Sequence, residues 1–151
     1  MVCSALEIAN KLLAKSTDYD AGELMSNMKL QKMLYYQQGY HLAVFGTPLF
    51  KEDIEAWMYG PVVPSVYEHF KSYGAGGIAP ESINVILLSD DEEVLFDDVF
   101  EAYIDFSAYG LMHKTHSEMP WKSTNVGLGN TISHEKMIKF FKKKLEDSQY
   151  E

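Results

Sequence analysis

The chain has 151 residues, 46% of them apolar and 23% charged, which suits one globular domain with a single core rather than a disordered or fibrous chain. Its 13 basic residues are all lysine and stand against 22 acidic ones, a formal net charge of −9; with no arginine for bidentate phosphate or base contacts, nucleic acid is not expected as a partner. The lone cysteine, Cys3, excludes an internal disulfide framework and a cysteine-rich zinc site.

In chain order, a first helix is predicted over 4–15. Ser4 and Glu7 have capping-box spacing, and Ala5, Leu6, Ala9, Leu12 and Leu13 form one apolar stripe. Residues 16–22 read as a loop. A second helix is predicted from about Ser26 to Phe45, with Leu30, Met33, Leu34 and Leu42 on its apolar face and Gly46-Thr47-Pro48 ending it. Tyr35, Tyr36 and Tyr40 widen that face, Gln31, Gln37 and Gln38 are consistent with solvent exposure, and Gly39 permits close approach of a neighbouring element.

Residues 54–59 alternate and read as a short strand, with Gly60-Pro61 as a turn and Pro64 as the first residue of a helix ending at Tyr73-Gly74. Ala75-Gly76-Gly77 reads as a flexible connector, and 83–88 as a second strand pairing with the first. Ser89 and Glu92 open a helix to about Phe106, its inner face Val94, Leu95, Val99, Tyr103 and Phe106, its outer face acidic. A helix over 108–116, a loop over 122–130 and a last helix follow. Ser133 caps the last helix, Ile132 and Met137 staple it, and Lys142, Lys143 and Lys144 stand at its basic end. The expected fold is mainly α: a single compact helical domain over 1–151, of about five to six helices with a small two-stranded β element.

Chemistry finds little support. No glycine-flanked serine elbow or phosphate-cradling loop is present, so no enzyme and no cofactor are expected. His113 and His116 lie three apart on one side of a predicted helix, and with Glu118 they form the metal-site alternative; the structural reading has His116 packing near the helix end beside Trp121. No apolar run is long enough to span a membrane. The start of the chain carries an early acid and no basic segment, so a cytoplasmic location is expected. Binding has more support: ten tyrosines and two tryptophans gather around 35–40 and 57–59, and such side chains favour protein interfaces.

Several runs then carry a resemblance. Met28-Lys29-Leu30-Gln31-Lys32-Met33-Leu34-Tyr35-Tyr36, Gly39-Tyr40-His41-Leu42-Ala43, Pro48-Leu49-Phe50, Glu55-Ala56-Trp57 and Tyr59-Gly60-Pro61-Val62-Val63-Pro64, followed later by His116-Ser117-Glu118-Met119-Pro120-Trp121, resemble the Panacea domain of SocA-like antitoxins, also called phage-associated GepA-like proteins. The resemblance implies an antitoxin that neutralises a cognate protein toxin, encoded by an adjacent gene, through direct contact. The alternative it implies is a proteolytic adaptor that delivers the toxin to a protease. The expected partner-binding or signature residues are Gln31, Lys32, Tyr35, Tyr36, Trp57, Tyr59, Gly60, Pro61, His116, Pro120 and Trp121. Either the aromatic turns at Gly60-Pro61 and Pro120-Trp121 converge with a Gln31-Lys32-Tyr35 face, or these residues form the family's core and the toxin contacts lie elsewhere.

Overall fold

The computed structural model describes residues 2–19 and 24–148. Its organising element is α2 (Asn27–Phe45). This helix starts where Ser26 adopts an extended backbone and its hydroxyl accepts the Lys29 amide. It stops at Gly46, whose φ of 74° returns its amide to the Leu42 carbonyl. Every residue from Leu30 to Gly39 is buried. A helix buried all round needs neighbours all round, and α1 (Ala5–Tyr19), α4 (Asp90–Tyr103), α5 (Ala108–His116) and α7 (His134–Ser148) supply them. Two shorter helices, α3 (Pro64–Phe70) and α6 (Met119–Lys122), connect this frame.

Burial of α2 overturns the expected exposure of its glutamines. Gln38 Oε1 accepts the Leu49 amide at 2.7 Å while its Nε2 donates to the Phe50 carbonyl at 2.9 Å. Gln37 donates to the Phe96 carbonyl, and Gln31 accepts the Val63 amide. Buried amides persist only when paired, and these three pin a loop, a helix and the start of α3 to the central helix. Gly39 has the expected role: a Cβ there would lie 2.1 Å from Phe141 Cε2, so the glycine lets α7 close onto α2.

The capping boxes form at both expected places. Ser4 and Glu7 exchange backbone and side-chain bonds at the start of α1, and Ser89 and Glu92 do so at α4. The Ser133 hydroxyl accepts the Lys136 amide, and Ile132 and Met137 are both buried.

Other boundaries move. α1 runs on to Tyr19, because Leu12, Leu13 and Ser16 stay buried against the core; residues 20–22 of the expected loop lie outside the described residues. On α4 the inner face is Phe96, Val99, Phe100 and Tyr103, while Val94 and Phe106 are exposed. α7 continues past the three lysines to Ser148, so Glu146 and Asp147 occupy its last turn.

The β structure differs most. β2 (Glu55–Trp57) pairs antiparallel with β3 (Gly60–Val62), not with 83–88. Gly60 and Pro61 are therefore strand residues, and Met58-Tyr59 is the two-residue turn. Both edges of β2 are taken: its other side bonds the 127–132 segment through Ala56 N to Asn130 O and Ile132 N to Ile54 O. Residues 83–88 stay outside any ladder, tied instead by Lys11 to the Ile86 carbonyl and by Glu93 to the Leu88 amide. Gly77, expected in a connector, pairs in β4 (Gly77–Ile78) with β1 (Met25–Ser26). Among the described residues no helix is long and apolar enough to cross a membrane.

Candidate functional site

Most of the expected signature residues, though not Tyr35 and Tyr36, gather around the β2–β3 hairpin. Gly60, with φ of 123°, lets the strand approach α2 and α5; a Cβ would sit 3.1 Å from Lys32 Cε and 3.2 Å from Thr115 Oγ1. From the opposite side comes the Pro-Trp segment. Pro120 follows α5 and lies in the first turn of α6. Its neighbour Trp121 donates Nε1–H to the Trp57 carbonyl at 2.9 Å. The Trp121 ring stacks on His116 at 4.0 Å and 22°, and His116 lies beside the Met58 backbone. The hairpin is thus clamped between α2, α5 and α6.

What the clamp presents is apolar. Met58 is 67% exposed and Tyr59 61%. Trp57 is half-buried, its Nε1 bonded to Glu55 and its ring edge-on to Tyr67 at 5.2 Å. Beside the tip runs a groove of about 540 Å³ with Lys32 and Gln31 on its floor and Trp57, Tyr59, Tyr67 and Lys71 among its walls. Met58 and Tyr59 form the two-residue turn of the hairpin, so their exposed side chains stand on a frame bonded on both strands.

The other signature residues are interior. Tyr35 and Tyr36 are fully buried and both donate to Glu118, at 3.0–3.1 Å. Tyr36 stacks on Tyr103 at 3.8 Å, and Tyr103 shares a hydroxyl bond with Tyr40. Burial drives the Tyr36 and Tyr103 hydroxyls far above the usual tyrosine range, with the Glu118 charge adding to it for Tyr36. Burial also raises the Glu118 carboxyl, against the pull of the two tyrosine hydroxyls. The Gln31-Lys32-Tyr35 face therefore splits: Gln31 and Lys32 reach the groove, Tyr35 turns inward.

The metal alternative does not assemble. Glu118 points into the tyrosine cluster, His113 packs on Tyr109, and His116 faces Trp121. Among the described residues no group of three or more His, Cys, Asp or Glu is placed to hold an ion.

Sequence reasoning missed Met58 and Tyr67. Alternation along 54–59 carried the expected strand through Met58, whereas the turn falls on it; no Asn-Gly or Asp-Gly pair marked that turn.

Comparison with known proteins adds one line of support. Residues 30–122 match the family described as antitoxin SocA-like, Panacea domain. Among curated proteins, Antitoxin SocA from Caulobacter vibrioides (strain NA1000 / CB15N) is 34% identical over 153 residues, covering 89% of this chain and 80% of that protein. No solved structure matches. The matched span holds most of α2, the hairpin, Pro120 and Trp121, the residues that build the clamp, and the chain belongs to the SocA-like antitoxin family of Panacea-domain proteins.

Proposed function

We propose that this chain is an antitoxin that neutralises a protein toxin by binding it through the hairpin tip and adjoining groove. Family membership supports the antitoxin role. The observation that carries the surface is the exposure of Met58 and Tyr59 on a hairpin anchored by Trp121, His116 and Gly60. A rigid apolar tip loses little entropy on docking. The signature residues supply the frame, and the tip and groove wall supply the contact. Catalysis has no part in this reading.

Co-expression with the neighbouring gene tests it. Growth is restored and the two proteins co-purify with the unaltered chain. The double substitution Met58→Ser and Tyr59→Ala, at side chains that support no core, abolishes both while leaving the melting temperature unchanged. Full rescue by that variant places the toxin contact elsewhere. Toxin half-life separates inhibition from delivery to a protease, since inhibition alone leaves it unchanged.

A further inference from the structure

Two buried lysines in this fold are treated differently. Lys11 on α1 is 7% exposed, and its ammonium has both the Glu93 carboxylate and the Ile86 carbonyl at 2.8 Å. Lys32 on α2 is 1% exposed and makes one bond, at 3.3 Å, to the Met28 carbonyl of its own helix. No carboxylate lies within ion-pair reach of it among the described residues. An ammonium carries three donors and a charge, and an unpaired buried charge is costly to keep. A second unsatisfied group adjoins it. His116 Nε2 is buried without a partner, and the Lys32 charge reaches its ring. Both side chains adjoin the same hairpin, Lys32 near Gly60 and His116 near Met58.

The groove above Lys32 differs in charge from the rest of the chain. Overall the chain carries 22 acids against 13 lysines. The groove is lined by two lysines, Lys32 and Lys71, and by no Asp or Glu. Lys71 has only a loose 4.0 Å contact to Glu68, exposed to water. The remaining walls are aromatic, amide and small side chains. An apolar groove with a desolvated cation on its floor fits an acidic side chain whose methylenes lie along the aromatics.

We propose that the Lys32 ammonium is the receptor for an Asp or Glu carboxylate of the toxin, inserted between Trp57, Tyr59 and Tyr67. Lys32 thereby gains the counter-ion that the fold withholds from it, and a partner without a correctly placed acid meets an uncompensated cation. Such a site selects partners by a buried charge. This inference rests on the toxin-binding reading above.

Affinity is measured for the complex with the neighbouring gene's product, using the full chain and the variants Lys32→Met and Lys51→Met, the second at an exposed lysine outside the groove. Lys32→Met weakens binding on the order of a hundredfold, as removal of one member of a buried interfacial pair does; Lys51→Met changes it less than threefold. Alanine replacement of each toxin acid, tested against the unaltered chain, finds one position with a comparable loss. That loss vanishes against Lys32→Met, the signature of a coupled pair. Unchanged affinity for Lys32→Met, or no toxin acid worth more than twofold, overturns the assignment. Because the toxin-side scan uses the unaltered chain, it decides the matter independently of any variant of this chain. Absence of any binding by the unaltered chain instead sinks the antitoxin reading itself.

Discussion

Replacing Lys32 with methionine makes the free protein more stable. Methionine matches the length of the lysine stem and removes only the ammonium. Burial lowers the Lys32 pKa from 10.5 to about 8, a shift of about 2.5 units, which at ~1.4 kcal/mol per unit is a burden of about 3 kcal/mol on the charged form. The lost bond to the Met28 carbonyl offsets about 1 kcal/mol of that. The net gain is about 2 kcal/mol, or roughly 4–8 °C in melting temperature for a chain of this size. The sign with pH follows from linkage. Because the folded pKa lies below the unfolded one, the unfolded chain holds more protons between about pH 8 and 10.5. Stability of the unaltered chain therefore rises through that window as the burden is relieved. Urea unfolding followed by tryptophan fluorescence at pH 7 and at pH 9.5 measures this, and subtracting the variant cancels the other titrating groups. A variant less stable at pH 7, or a difference that does not shrink by pH 9.5, refutes the claim that Lys32 is an uncompensated cation.

Gly39→Ala destabilises by about 2 kcal/mol or more, against the ~1 kcal/mol that alanine ordinarily brings to a helix, because its Cβ meets the buried Phe141 ring; pairing it with Phe141→Leu recovers part of the loss in thermal unfolding. Glu118→Gln removes a pH dependence. The folded carboxyl titrates above its ordinary value, so the unaltered chain gains stability relative to the variant as pH falls from neutral toward the usual carboxylate range, and unfolding at pH 7 and 5.5 tests the sign. Trp121→Phe keeps the stack on His116 and loses the bond to the Trp57 carbonyl, costing about 1 kcal/mol of stability, with faster amide exchange confined to 57–60 as the readout. Ser89→Ala breaks the capping box of α4 and costs about 1 kcal/mol.

Local chemistry was readable from the chain alone. The Ser4-Glu7 and Ser89-Glu92 boxes, the Ser26 and Gly46 caps, Pro64 at a helix start and the Ile132-Met137 staple each depend on residues within a few positions of one another. Their bonds form wherever the helix forms. The signature runs were equally visible, since a family pattern is a property of spacing. The inner face of α4 was misassigned in part, because Val94 and Phe96 are both apolar and only the neighbours decide which is covered.

Tertiary structure decided the rest. Gln31, Gln37, Gln38 and Lys32 have the composition of a solvated helix face, yet α2 sits inside a ring of helices and its polar groups became buried pins or, for Lys32, a cation without a counter-ion. Strand pairing was likewise unreadable: residues 83–88 have the stronger strand composition, but β2 closes on β3 through a two-residue turn and meets 127–132 on its other edge. Composition states what a segment prefers in isolation. Burial, pairing and electrostatic compensation depend on what the rest of the chain brings within a few ångströms, and the hairpin, the groove and the unpaired Lys32 exist only at that level.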